Sequence, residues 1–163
     1  MKNWGPARLI VRIDRHSTAA FGLILFALGG CSSAPQQANL EVGAGAAQHA
    51  LGMQGKPYRP GGNSPRGFDC SGLVQYSYAR ANMQLPRSTE GQWASSRAVP
   101  RTEIRPGDLL FFHQEGKRNS HVGIYVGNNR FVHAPSSSKH VSIASLSNPY
   151  WSQHFAGARR PVS

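Results

Sequence analysis

Two rhythms of hydrophobic and polar positions divide the chain. Leu73, Val74, Tyr76, Tyr78 and Ala81 recur at helical spacing, and Asp69 stands where such a helix needs a capping side chain. This predicts a largely buried helix over 70–82. An Ala-rich stretch, Val42–Met53, predicts an earlier helix stopped by Gly55 and Pro57. Ser88 with Gly91 and Gln92 starts a shorter helix over 88–97. Between the first two helices, Lys56–Gly67 holds three Pro and three Gly and reads as a loop.

Beyond residue 105 the rhythm becomes that of strands. The turn Pro106-Gly107-Asp108 precedes a strand over Leu109–His113. His121–Val126 and Arg130–His133 alternate, and Gly127-Asn128-Asn129 between them is the chemistry of a tight hairpin turn. Val141–Ile143 reads as a further strand, Asn148–His154 as a short helix and Phe155–Arg160 as a last strand. Helices followed by antiparallel strands predict an α+β fold, with the helices packed on one sheet. A chain of 163 residues without internal repeats suits a single folded domain.

The first thirty residues break both rhythms. Lys2, Arg8, Arg12 and Arg15 precede an uncharged run, Ala19–Gly30, which ends at Cys31. A positive segment followed by a short apolar one is the pattern of a bacterial export signal, and it falls short of the ~18 apolar residues of a membrane span. Leu28, Gly29 and Gly30 before Cys31 resemble a lipoprotein box. In that pattern the Cys31 thiol is lipidated and becomes the new N-terminus. Ser32, rather than Asp, follows it, which in Gram-negative systems implies outer-membrane sorting on the periplasmic side. Residues 31–41 then read as the lipidated cysteine and a flexible tether, and 42–163 as the folded body.

Charge adds little discrimination. Eighteen Lys and Arg against seven Asp and Glu give +11, of which residues 1–30 carry a net +3, leaving +8 after export. Such a surface favours anionic partners, but no nucleic-acid-binding module is present. The chain also lacks Cys-x-x-Cys, His-Glu-x-x-His, a Walker loop and Gly-x-Ser-x-Gly. His113, His121 and His133 are the candidates for a metal site, but no carboxylate or second cysteine stands at ligand spacing, so no metal is expected.

Cys70 carries the candidate chemistry. With Cys31 taken by lipid, it has no partner for a disulfide. An inert buried cysteine is one reading. The other follows from its place at a loop-to-helix junction, where free N–H groups and the helix dipole favour a thiolate nucleophile. A thiolate attacking an amide needs a base that can return a proton to the leaving amine, which histidine does best. His121 opens the first strand of the hairpin and His133 closes the second, so the reversal can bring the pair close, one to serve as base and the other as its orienter.

At these residues the sequence resembles the NlpC-type cell-wall cysteine peptidases. The matching segments are Gly55–Gly62, Phe68-Asp-Cys-Ser-Gly-Leu-Val74, Leu85-Pro-Arg-Ser-Thr89, Arg105–Phe112, Ser120-His-Val-Gly-Ile-Tyr-Val-Gly127, Phe131-Val-His-Ala134 and Phe155–Arg160. The resemblance implies a papain-like fold with the nucleophile at a helix start. It implies Cys70 as nucleophile, His121 as general base and His133 as orienter. Tyr58 is placed beside the nucleophile, its hydroxyl helping to hold the oxyanion with backbone N–H groups. Asp69 and Ser71 are expected to contact substrate, and Arg87 to pair with a substrate carboxylate. One departure, Arg59-Pro60 where the family favours aromatic or β-branched residues, bears on the shape of the groove.

The implied activity is a peptidoglycan endopeptidase, cutting stem peptides or crosslinks through an acyl-enzyme, as a monomer without cofactor. Two other readings share the scaffold: an amidase of the muramoyl–L-alanine bond, and an acyltransferase. A non-catalytic wall-binding lipoprotein is the alternative of another class.

Overall fold

The computed structural model describes Met1 and residues 34–114 and 116–162. The expected signal segment beyond Met1, and Cys31 as the expected lipidation site, lie outside these described residues. Helix α1 runs over Ala34–Leu51. It therefore starts eight residues before the expected helix, and residues 34–41, expected as tether, form its first turns. The composition allows this. Pro35 sits in the first turn, where its missing N–H is not needed, and Ala, Gln, Leu and Glu are good helix formers. No helix among the described residues is long and apolar enough to cross a membrane.

The expected loop after α1 contains a small hairpin, β1 (Asn63–Ser64) with β2 (Gly67–Phe68). Helix α2 follows at Cys70–Arg80, capped by Asp69, whose carboxylate accepts from the N–H of Gly72 at 2.8 Å. Helix α3 is Thr89–Ala94, capped by Ser88. It is shorter than expected because the chain turns into a strand, β3 (Ser96–Val99). Then come β4 (Leu109–Gln114), β5 (Lys117–Gly127), β6 (Arg130–His133), β7 (Ser142–Ser145), helix α4 (Pro149–His154) and β8 (Phe155–Pro161). Six of the strands form one antiparallel sheet in the order β3-β8-β4-β5-β6-β7. The α+β expectation therefore holds.

Both faces of the sheet are covered, which explains the unbroken apolar run of β4. Leu109 and Phe111 join a core with Ala46, Ala50, Leu73, Val74 and Val122 beneath α1 and α2. Leu110 and Phe112 join a second core with Phe131, Leu146 and Ala158, against which Trp151 and Phe155 pack. Alternate residues of one strand thus reach opposite cores. The turn between β5 and β6 has Asn128 and Asn129 at φ 51° and 58°, the left-handed values that asparagine tolerates in a tight hairpin. A buried ion pair, Arg160 to Asp108 with two contacts of 2.7 Å, ties β8 to the turn before β4.

Candidate active site

The start of α2 is crossed closely by the preceding loop. The carbonyl of Gly62 accepts from the Asp69 N–H at 3.0 Å. A Cβ on Gly72 would stand 2.0 Å from that same oxygen. Only glycine lets the backbone pass there, which accounts for the last residue of Asp-Cys-Ser-Gly. Asp69 gathers the junction further. Its carboxylate accepts from the Gly61 N–H at 3.0 Å and from the Arg87 guanidinium at 2.5 and 3.0 Å. Arg87 also donates to Ser71 Oγ at 2.8 Å. Gln92, fully buried, donates to the carbonyls of Ser71 and Pro86 and so ties α3 to the same helix start. Cys70, the first residue of α2, is held from several sides.

Cys70 is partly exposed. Burial, the largest influence, pushes its thiol above the ordinary value, and the Asp69 carboxylate adds to this. The N–H groups of Val122, Ser71 and Cys70 itself act the other way. The helix-start N–H groups expected from sequence are among these helpers, the Val122 N–H of β5 was not foreseen, and desolvation outweighs them all.

Across from the helix start lies the sheet. The register that pairs Ile124 with Val132 extends to place Gly123 opposite His133, so His121 and His133 are diagonal neighbours on one face. A Cβ on Gly123 would lie 2.6 Å from the Phe131 ring and 3.3 Å from His133 Cβ. The glycine of His-Val-Gly-Ile thus makes room for the pair. His121 Nε2 meets His133 Nδ1 at 2.9 Å, and both rings are buried. His133 Nε2 then faces Ser142 Oγ at 3.5 Å. This leaves Nδ1 of His121 as the ring nitrogen open to another partner.

Aromatic rings enclose the two histidines. Trp151 of α4 stacks on His121, with centroids 5.5 Å apart, and meets His133 edge-on at 4.8 Å. Phe112 and Phe131 complete the enclosure. Burial pushes His121 down to about 4. It pushes His133 to about 3, with the neighbouring His121 adding a smaller effect. Both rings are therefore neutral at pH 7.

A cleft of about 350 Å³ brings the two walls together. Tyr58, Cys70, Thr89, Gln114, Lys117, Ser120, His121, Ala134 and Ser136 line it. The structure thus brings Tyr58, Cys70 and His121 to one surface, with His133 directly behind His121. Burial, then Cys70 and Asp69, push the Tyr58 hydroxyl up, so it stays a neutral donor. Asp69, Ser71 and Arg87 are not among the lining residues; they form the clamp beneath the helix start. Sequence reasoning missed Trp151, because its place depends on α4 docking over β4 and β6. It also missed Thr89, Gln114, Lys117 and Ser120, although Thr89 closes one of the matching segments. No cluster of three or more His, Cys, Asp or Glu suited to a metal occurs among the described residues.

The arrangement supplies a thiol, a neutral imidazole oriented by a second imidazole, and N–H and O–H donors around the sulfur. That set can carry out acyl transfer. Comparison with known proteins agrees with this chemistry. Murein DD-endopeptidase MepH of Escherichia coli is 46% identical over 114 residues, covering 67% of this chain and 42% of its own length. Probable endopeptidase NlpC of the same organism is 43% identical over 142 residues, covering 82% and 92%. The chain thus spans less than half of the first relative and nearly all of the second. Among solved structures, an NLP/P60 protein similar to a lipoprotein, from Staphylococcus aureus, superposes with a TM-score of 0.68 at 38% identity, over 76% of this chain and 42% of its own. The fold is papain-like, as in those domains. The NlpC/P60 family matches residues 55–160, and the chain belongs to that family.

Proposed function

We propose that the protein is a peptidoglycan endopeptidase that cleaves amide bonds of cell-wall stem peptides or crosslinks through a cysteine acyl-enzyme. The observation that carries this reading is the 2.9 Å bond from His121 Nε2 to His133 Nδ1, beside a cleft that His121 shares with Cys70. In this mechanism Nε2 of His121 keeps its hydrogen and donates it to His133, so Nδ1 is the free base. It takes the Cys70 proton as sulfur attacks the carbonyl carbon. Thiolate and imidazolium form together, and each offsets the cost of burying the other. The oxyanion is met by the Tyr58 hydroxyl and by backbone N–H groups at the start of α2, donors worth about 3 kcal/mol each in such sites. Imidazolium returns the proton to the leaving amine. Water, activated by the same nitrogen, hydrolyses the thioester. Names among the relatives, including murein DD-endopeptidase, support the substrate class.

The reading also includes an address. Residues 1–30 act as a lipoprotein signal, Cys31 carries lipid, and the domain works as a monomer at the periplasmic face of the outer membrane. Support comes from the residues before and after Cys31. Cys31→Ala should lose labelled fatty acid and leave the membrane fraction; retention of both would overturn the anchor.

The test of the activity is mass spectrometry of purified peptidoglycan treated with residues 32–163 and, in parallel, with Cys70→Ala. New amino termini within stem peptides or crosslinks are expected with the first and not with the second. Unchanged muropeptides, or cleavage only at muramoyl–L-alanine, would overturn the endopeptidase reading.

A further inference from the structure

Lys117 stands at the start of β5 and is exposed, yet it lines the cleft that holds Cys70 and His121. The other lining groups are uncharged at neutral pH. Tyr58 and the Cys70 thiol are held protonated, His121 is held neutral, and Thr89, Gln114, Ser120, Ala134 and Ser136 carry no charge. Lys117 is therefore the one ionised side chain among the lining residues. Among the described residues it belongs to no ion pair: those are Asp69–Arg87 and Asp108–Arg160. Glu90 lines an adjoining recess with Lys117 and Arg118, but makes no ion pair with either.

The backbone at this point is tied down. The carbonyl of Lys117 accepts from Ser120 Oγ at 3.2 Å, and the same hydroxyl accepts from the Gln114 N–H at 3.0 Å. Strands β4 and β5 pair Gln114 with Lys117 beyond a register shift between Phe112 and Gln114. Lys117 thus stands on a hydrogen-bonded strand and lines a cleft whose other lining groups are neutral. A cation so placed attracts and orients an anion.

We propose that Lys117 is a specificity-determining residue that binds a substrate carboxylate adjacent to the scissile amide. This rests on the peptidase reading and deepens it: the preferred substrate is an anionic peptide whose free carboxylate lies within a residue of the bond to be cut. Murein peptides carry such groups on their glutamyl and diaminoacyl residues. The contact is rim-exposed, so its effect is modest, about two- to fivefold in kcat/KM.

The experiment uses a crosslinked murein peptide and the same peptide with the carboxylates flanking the scissile amide converted to carboxamides. The full chain and its Lys117→Ala, Lys117→Arg and Lys117→Glu variants are compared by the ratio of kcat/KM for the two peptides. The unmodified peptide should be preferred about two- to fivefold by the parent chain. Lys117→Ala should bring the ratio to near one, Lys117→Arg should keep it, and Lys117→Glu should invert it. No preference in the parent chain, or an unchanged ratio in Lys117→Ala, would overturn the proposal. Equilibrium binding of both peptides to Cys70→Ala, with and without Lys117→Ala, decides the question independently of turnover. If the parent chain cuts neither peptide, the peptidase reading fails. The lysine's role still stands or falls on that binding ratio.

Discussion

The two walls of the cleft are built on opposite principles. The helix wall, which presents Cys70, is polar and cross-tied. Asp69 joins the Gly61 and Gly72 N–H groups to Arg87, and Arg87 reaches on to Ser71. The sheet wall, which presents His121, is dry. Phe112, Phe131 and Trp151 enclose the two imidazoles, and the polar contacts of the pair are to each other and to Ser142. The difference matches what each group must do. A nucleophile needs its backbone donors fixed to within fractions of an ångström, and a network of hydrogen bonds does that. A base that must start neutral needs desolvation, which aromatic packing supplies.

The largest test acts on the sheet wall. Proton transfer by a placed base contributes roughly 10²- to 10⁴-fold, so His121→Ala should lose at least that much in kcat/KM. His133 acts through His121 by accepting its Nε2 hydrogen. Asparagine can accept at the same place through Oδ1, so His133→Asn should keep appreciably more activity than His133→Ala. Steady-state kinetics of the three variants on one muropeptide is the measurement. A nearly active His121→Ala with a dead His133→Ala would reverse the two roles.

Removing the dryness without touching either histidine sharpens the comparison. Trp151→Ala should open the stacked face of His121 to water and lower kcat/KM by roughly tenfold, a cost of about 1.4 kcal/mol. The sign of the pH effect follows from burial. His121 is held down to about 4, against an ordinary value of 6.5, so below about 4 it is protonated and cannot accept the thiol proton. Solvation in the variant raises that value, and the acid limb of the kcat/KM profile should move up towards 6.5. Trp151→Phe, which keeps a ring, should shift it less. An acid limb that stays in place in Trp151→Ala would mean that the tryptophan does not set the histidine's environment.

The walls also differ in how far the sequence exposes them. The histidine pairing was legible, because strand alternation and Asn128-Asn129 turn chemistry set the hairpin and so the diagonal. The start of α2 was legible from Asp69 as a cap. What surrounds each group was not. Trp151 is about 30 residues from His121 along the chain and meets it through the docking of a six-residue helix. Strand β3 was hidden because its partner, β8, lies some sixty residues away, and four residues at a sheet edge carry no period of their own. Arg87 was expected to face substrate; its engagement with Asp69 and Ser71 depends on a long-range contact that spacing does not encode. The thiol shows the same division. The N–H groups of Cys70 and Ser71 follow from local position, whereas the N–H of Val122 and the desolvation that outweighs all three follow from packing.

The smallest test acts on the helix wall, where the two members of the ion pair should move the thiol in opposite directions. Burial is the main reason that Cys70 is raised, and Asp69 raises it further. Asp69→Asn keeps a side-chain oxygen for the Gly72 N–H but removes the negative charge, so the thiol should ionise at lower pH. Arg87→Ala removes the cation that offsets Asp69, so the thiol should ionise at higher pH. The rate of alkylation of Cys70 against pH reads both midpoints, with Cys31 replaced by Ala so that one thiol reports. Stability should fall in both variants by only about 1 kcal/mol. Arg87 is about one-third exposed, with a side-chain exposure of 36%, and the pair is screened accordingly. Urea unfolding measures that loss. Midpoints that move in the same direction, or a loss of several kcal/mol in Arg87→Ala, would show the clamp to be a structural tie with no electrostatic hold on the nucleophile.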